Sequence, residues 1–510
     1  MSGKNAEGML SKTPPTLTVL GNGEKIIYVE FEEGDQRNPQ NYPPLKKWAI
    51  TLAACYFTGM TAAAASSFSI STPSLTYDLH CTELEAALGL GLYAVGFGIV
   101  PLVTSSFSEE IGRRPVYIFS SVVFTLTQVM VALAPNIGTV LAGRALGGIF
   151  GSTGASLVGG SVADIWQPQE RGLPMTLFAF TSLFSIGLGS VIGGVIQSSL
   201  GWRWVQWIHI MFSFFFIILV VLVMSETRAS IILIQIARSQ RKLTGNNAHR
   251  AKAEIDKESL WSLIKTSCSR PLYFLLTEPL VQSFSIWCGF VWGVVYCFLE
   301  SITPIFQTTY GFNVQQTGYV YVTLCIGATI GFFANLYQDK LYRRHFARKE
   351  QEARLYLVCV AALCLPIGMF IFAWTASPKI HWIAPIVGLS VFMSGVMVIF
   401  QVTFLYLADC YNTYASSAQA GQSLFRNSMA LVFPLFTQQM FATLTYKWAL
   451  TLFAILALLM APTPFVLFFY GSRIRARSIA SRNILATDVQ AQHSHTSSSS
   501  SASGPGMDKV

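Results

Sequence analysis

Twelve apolar runs dominate this 510-residue chain. Each is close to the ~20 residues a helix needs to cross the hydrocarbon core of a bilayer. Their expected extents are 48–70, 84–106, 116–134, 138–162, 173–197, 204–224, 274–300, 315–337, 355–376, 381–407, 415–441 and 448–470. They fall six and six around a polar stretch, 226–272, which holds nine Lys/Arg and no run long enough to cross. Only 12% of residues are charged and mean hydropathy is +0.49, whereas a soluble domain carries about 25% charge. The expected fold is an all-α membrane protein of twelve transmembrane helices in two six-helix bundles. Residues 1–47 are read as a disordered tail, 48–225 as the first bundle, 226–272 as a linker, 273–471 as the second bundle and 472–510 as a Ser-rich tail.

The net charge of +9 takes its meaning from position. With the N-terminus placed in the cytoplasm, 29 of the 34 Lys/Arg fall inside, and only Arg203, Lys379 and Lys447 fall outside. The positive-inside rule then puts both termini in the cytoplasm. The charge serves a lipid bilayer and not a nucleic acid. Because the chain is polar up to Lys47, the first span is expected to act as its own insertion signal. The nine cysteines lie mostly within spans and lack the spacing of a zinc or redox site, so they are read as small packing residues and no metal is expected.

Charged and small residues in unusual places mark the candidate working parts. The loop between spans 2 and 3 reads Ser108-Glu109-Glu110-Ile111-Gly112-Arg113-Arg114-Pro115. Gly112 permits a sharp turn, Arg113 and Arg114 anchor a helix start, and Glu109 can pair with arginines or cap a helix. Arg144 sits inside span 4, where a charge is expensive and faces a cavity or a partner, unless it snorkels outward. Gly147 and Gly151 beside it, and Gly187, Gly189, Gly193 and Gly194 in span 5, have the spacing of tight helix–helix seams.

These segments together resemble the major facilitator type of transporter. Its loop pattern, Gly-x-x-x-Asp-Arg-x-Gly-Arg-Lys/Arg, is matched at Gly112, Arg113 and Arg114, with Ser105, Glu109 and Glu110 as departures. The variant is similar to the fungal branch of drug:proton antiporters. So are Asn38-Pro39-Gln40-Asn41-Tyr42, Ala163-Asp164-Ile165-Trp166, Gly201-Trp202-Arg203-Trp204, Glu226-Thr227-Arg228 and Ala420-Gly421-Gln422-Ser423-Leu424-Phe425-Arg426-Asn427. The likeness runs from about 36 to 480. It implies that the loop helps to close the cytoplasmic side, and that Arg144 takes part in proton coupling. Ser190 stands where antiporters of the family have a proline, which weakens the antiport reading without removing it.

A proton carrier is sought among few acids. Span 1, as drawn, contains none, which excludes a carrier there. Glu300 near the outer end of span 7 is preferred, with Asp164 and Glu278 as the other candidates. Arg426, Asn427, Trp292 and Tyr296 are the candidate substrate pathway, with Trp287, Phe404 and Tyr406 as further aromatics. A nucleotide loop of the Gly-x-x-x-x-Gly-Lys-Ser/Thr kind, a paired-His metal motif and a nucleophile elbow are all missing, so no enzyme and no cofactor is expected. The expected function is proton-coupled antiport by a monomer, powered by the proton gradient. Its cargo is a small organic compound such as a secondary metabolite, a drug or an organic acid like itaconate. The resemblance implies the plasma membrane, with a vacuolar membrane as the alternative. The rival readings are a proton-coupled nutrient importer and, disfavoured by the short tails, a transporter-like receptor.

Overall fold

The computed structural model describes residues 17–19, 25–167, 170–255, 259–411 and 414–477. Six passes come first: α1 (Pro44–Leu79), the collinear pair α2 (Glu83–Ile99) and α3 (Pro101–Ile111), α4 (Arg113–Ala132), α5 (Ile137–Ile165), α6 (Gly172–Leu200) and α7 (Trp202–Val223). The linker forms α8 (Ala229–Thr244), α9 (Lys252–Ile255) and α10 (Leu260–Thr277). The second set is α11 (Pro279–Tyr310), the pair α12 (Val314–Val320) and α13 (Val322–Lys349), α14 (Tyr356–Thr375), α15 (Ile383–Tyr411), α16 (Ala415–Met460) and α17 (Pro462–Arg477).

Nine helical stretches among the described residues are long and apolar enough to span a membrane by length and composition. Two of them, Val314–Thr375 and Ala415–Arg475, run to 62 and 61 residues, far beyond one crossing. Each holds two passes. The 3-10 turn Glu350–Leu355 divides the first, and Thr445, at φ 64° and ψ 159°, divides the second. Helix α5 lies outside the nine because its glycines, serines and Arg144 dilute its hydropathy. With it the passes number twelve.

Local chemistry sets the helix ends. Thr82 and Glu85 form a reciprocal capping box at the start of α2, and Asn313 and Gln316 do the same for α12. Gly112 (φ 108°) and Gly201 (φ 90°) each end one helix and start the next, in a conformation that L side chains resist.

Lipid removes the apolar drive for helix pairing, so close approach depends on small residues. A Cβ on Gly148 would run into the backbone of Tyr93, and one on Gly96 would lie 2.5 Å from Ile149 N, so α2 and α5 touch backbone to backbone. Gly147 and Gly151 complete that seam against Tyr93, Thr127 and Phe124. The glycines of α6 divide between two faces. Gly189 and Gly193 press on Ala63, Ser66 and Ser67 of α1, while Gly187 and Gly194 press on Cys325 of α13 and Gly318 of α12 in the other half. Ser190 stays helical and donates to Ser66 O at 3.3 Å. Phe212, Phe214, Phe215 and Leu222 of α7 are among the large apolar side chains exposed on the outer belt, the surface a bilayer covers.

Several expected boundaries shift. Helix α1 runs nine residues past the expected end at 70 and so includes an acid, Asp78, whose carboxylate pairs with Arg203 and accepts from Trp202 Nε1 at 3.1 Å. Spans were drawn from apolar runs, and the polar stripe at this end of α1 hid the continuation. Part of the expected disordered tail is ordered: β2 (Lys25–Tyr28) pairs antiparallel with β1 (Leu17–Val19) and parallel with β3 (His249–Arg250) of the linker. Ile26 is buried, and Val29 packs with Ala237 and Ala251. Two isolated aliphatics in a charged tail carry no periodicity, and their partners lie over 200 residues away. Helix α10 crosses the expected 272/273 boundary, and Pro279 sets the start of α11 instead. Residues 1–16, 20–24 and 478–510, which hold the rest of both expected tails, lie outside the described residues.

Candidate functional site

A cavity of about 260 Å³ lies between the two halves. Its walls come from α1, α2, α3, α5 and α6, with Arg113 at the start of α4, on one side and from α11, α15 and α16 on the other. Exposed Glu109 and Ser416 mark its mouth on the linker side. On the opposite side α6 and α12 meet at Gly194 and Gly318. The cavity is thus open toward the face that carries the linker.

Aromatic rings line both sides: Tyr93, Phe97 and Phe178 on one, Trp292, Tyr296, Phe400 and Phe404 on the other. One cation stands in its depth. Arg426 is buried, with its guanidinium carbon 4.5 Å from the Trp292 ring centre and 4.9 Å from that of Phe400. Those two rings stack at 5.3 Å and 16°. Arg426 Nη2 donates to Ser423 Oγ at 3.2 Å, Nε has no partner, and the side chain makes no ion pair among the described residues. Trp292 Nε1, a second buried donor, is also unpartnered. Cation–π contact offsets part of the burial, by up to about 2 kcal/mol when desolvated. A guanidinium with a spare donor can take a carboxylate or another anionic head in a water-poor site. Asn427 lines the same wall and uses its amide on Ser423 O at 2.9 Å.

Of the aromatics considered from sequence, Trp292, Tyr296 and Phe404 line the cavity. Trp287 and Tyr406 do not: both are buried inside the second bundle, against Phe284. Tyr93, Phe97 and Phe400 were missed, because an aromatic in an apolar span gives no sign of whether it meets lipid, protein or a pathway.

Arg144 is 1% exposed, which rules out snorkelling. Its nitrogens donate to the carbonyls of Gly89 (3.2 Å), Ala64 (2.9 Å) and Ala65 (3.5 Å), between the rings of Phe68 and Tyr93. It stands behind the cavity wall, reaching the cavity only through Ala65 and Tyr93. Glu300 is not a lining residue; its neighbour Leu299 is. Glu300 Oε1 is buried with no hydrogen-bond partner. Glu278 caps α11 and accepts from Tyr411 OH at 3.1 Å.

The loop at the mouth is built around two acids. Glu226, just after α7, accepts the backbone N–H groups of Arg113 (2.9 Å), Arg114 (3.3 Å), Thr227 (3.0 Å) and Arg228 (2.9 Å). A side chain on Gly112 would strike that carboxylate. Asp164 sits between Arg113 (3.1 Å) and Arg228 (3.5 Å), so it is tied into the loop and away from the cavity. Arg113 Nη1 also donates to Ser108 Oγ at 2.6 Å, and its guanidinium packs on Gly160. Arg114 caps α7 through Val221 O at 3.0 Å. Glu109 pairs at 3.5 Å with Arg228, and not with the arginines of its own loop. Glu226 and Arg228 were flagged only as a helix end, since no spacing links them to a loop over 100 residues earlier.

The family model for the Major Facilitator Superfamily matches residues 52–434. A transporter named mfs1 from Schizosaccharomyces pombe is 33% identical over 476 residues, covering 90% of this chain and 89% of its own. The MFS-type efflux pump MFS2 of Trichophyton rubrum is 32% identical, covering 88% of this chain and 76% of its own. The efflux pump FUBT of Fusarium oxysporum is also 32% identical, with coverages of 90% and 78%. Among solved structures, the xylose transporter XylE from E. coli, in a partially occluded inward-open conformation, superposes with a TM-score of 0.58 at 18% identity. The match covers 83% of this chain and 99% of that one.

Proposed function

Because this chain belongs to the Major Facilitator Superfamily, and is a multi-pass membrane transporter rather than an enzyme, we propose that it exports an anionic, amphipathic organic compound across the plasma membrane by proton-coupled alternating access. Arg426 carries the reading. A buried cation flanked by aromatic rings, with an unpartnered Nε and no ion pair among the described residues, suits an apolar body with one negative head. A polycationic cargo would meet repulsion there. The efflux names of the relatives support the direction.

The linker face is assigned to the cytoplasm because the basic residues crowd there. The cavity then loads from the cytoplasm, and the loop from Glu109 to Arg114 serves as the gate on that side. Asp164 belongs to the gate and not to the proton path. Glu300 is the proposed acid of the exchange: its partnerless carboxylate lies at the closed end, where rocking of the two halves would open it to the outside. The protein acts as a monomer and needs no cofactor beyond the proton gradient.

The test is untargeted profiling of cells and medium with and without the gene. Export predicts an anionic compound retained in cells that lack the protein. A fall in the cellular content of the same compound would mean uptake. In proteoliposomes with the compound so found, Glu300→Gln is expected to weaken proton-driven transport while leaving the amount of inserted protein unchanged. Wild-type pH dependence in that variant would remove Glu300 from the mechanism.

A further inference from the structure

Helices α1 and α7 run antiparallel and present polar stripes to each other. On α1 the stripe is Ser67, Ser71, Ser74 and Asp78; on α7 it is Trp202, Gln206, His209 and Ser213. Steps of three and four residues keep each stripe on one helix face. Three contacts fix the register: Ser213 Oγ to Met60 Sδ at 3.2 Å, His209 Nε2 to Ser67 Oγ at 2.8 Å, and Trp202 Nε1 to Asp78 Oδ2 at 3.1 Å.

Gln206 falls between the last two contacts. It is 0% exposed, and neither its Nε2 nor its Oε1 has a partner in the protein. The same holds for His209 Nδ1, Ser69 Oγ, Thr72 Oγ1, Gln128 Oε1 and Gln197 Oε1, the last on a side chain whose Nε2 donates to Ser74 Oγ at 2.8 Å. Each such group unpaired in a dry interior would cost about 1–3 kcal/mol. Gln206 and His209, neighbours on the α7 stripe, together with Gln197 at Ser74, are explained by bound water, each molecule making about three hydrogen bonds to groups of this kind.

The seam joins two places. One end is the Asp78–Arg203 pair at the face opposite the linker. The other is Ser67, less than one turn beyond the Ala64 and Ala65 carbonyls that hold Arg144. We propose that this seam is a hydrated column that admits a proton from the face opposite the linker to His209, a second proton-binding site, separate from the substrate cavity and linked to it through Arg144. The proposal rests on the proton coupling proposed above and adds a site to it.

Arg144 on α5 is the charged group within electrostatic reach of His209; Tyr93 on α2 packs on Arg144, and Asp78 on α1, with His80 just beyond it, and Arg203 on α7 stand together at the end of the seam. From α6, Gln197 reaches the seam at Ser74. A proton on His209 therefore sets a second cation against Arg144. The repulsion loosens Arg144 from the Ala65 carbonyl, and Ala65 is part of the cavity wall. Proton arrival is felt in the cavity with no proton entering it.

The test is an infrared pH titration of the purified full chain in nanodiscs from about pH 3 to about pH 8, a range that covers ordinary histidine titration with room below it for a buried ring. An imidazolium band that His209→Asn removes is expected. Gln206→Leu, which dries the column, is expected to shift that band to lower pH, because a drier site disfavours the charged ring. No band attributable to His209 overturns the proton site. A band that Gln206→Leu leaves in place overturns the column. If both effects are present but transport ignores the proton gradient, the coupling reading fails and the seam stands.

Discussion

Arg144 in the first bundle and Arg426 in the second are both buried guanidiniums, each between aromatic rings and without an ion pair among the described residues. They differ in where their donors go. Arg144 gives its three nitrogens to the carbonyls of Gly89, Ala64 and Ala65, so it ties α5 to α1 and α2. Arg426 gives one nitrogen to a serine on its own helix and keeps Nε without a partner. The first spends its donors on backbone carbonyls inside the first bundle and has none to offer a cargo. The second retains hydrogen-bonding capacity beside a cavity, which is what recognition needs. A charge in a membrane helix thus points to function only after its donors are accounted for.

Two substitutions break this comparison if it is wrong. Arg426→Gln is expected to lower transport of the anionic cargo about a hundredfold, since loss of one partner of a buried charged pair is worth about 2–5 kcal/mol, with thermal stability in detergent nearly unchanged. Arg144→Gln is expected to do the reverse first. Removing charged hydrogen bonds worth about 1.5–3 kcal/mol each should lower the melting temperature and the yield of folded protein. Tight cargo binding by a folded Arg426→Gln, or a fully stable Arg144→Gln, would erase the distinction.

How much of this was visible in the sequence depends on the range of the interaction. Spans, the six-and-six division and the glycine seams are local patterns with fixed periods, and they could be read directly. The segment from Glu109 to Arg114 was legible as a loop, because Gly112 and the two arginines are contiguous. Its centre was not: Glu226 meets Arg113 only because α4 and α7 pack side by side. The strand from Lys25 to Tyr28 was hidden for the same reason, since its partner is β3. Gln206 and His209 passed unnoticed in span 6 because single polar residues in an apolar run have no period, and the matching stripe on α1 shows only once the two helices are set face to face.

The proposed gate gives the intermediate case. Arg113 is buried and ion-paired to Asp164, touches Ser108 and Gly160, and lines the cavity near its mouth. Arg113→Ala should leave Asp164 held by Arg228 alone. We expect cargo affinity within about twofold of wild type and turnover reduced about tenfold, the equivalent of ~1.4 kcal/mol on the rate-limiting conformational step. An affinity loss that equals the loss in turnover would move Arg113 from the gate into the binding site.

The smallest effect is expected where water does most of the work. Outside the membrane, Arg241 of α8 holds Glu254 of α9 at 2.9 Å and also donates to His249 O at 2.7 Å, bracing the strand that pairs with Lys25–Tyr28. The hydrogen bond from Arg241 keeps the Glu254 carboxyl below its usual range. The sign follows from linkage: a depressed folded pKa contributes stability above the unfolded value of about 4.3, and that contribution is lost as pH falls through the lower folded value. Amide exchange of β2 and β3, corrected for its intrinsic pH dependence, should therefore quicken below about pH 4. Arg241→Ala should quicken it at neutral pH and flatten the acid response. Because the pair is partly exposed, the change should be well under that of either buried arginine. An acid response that survives Arg241→Ala would assign the bracing to another group and leave the comparison with only the two arginines in the membrane.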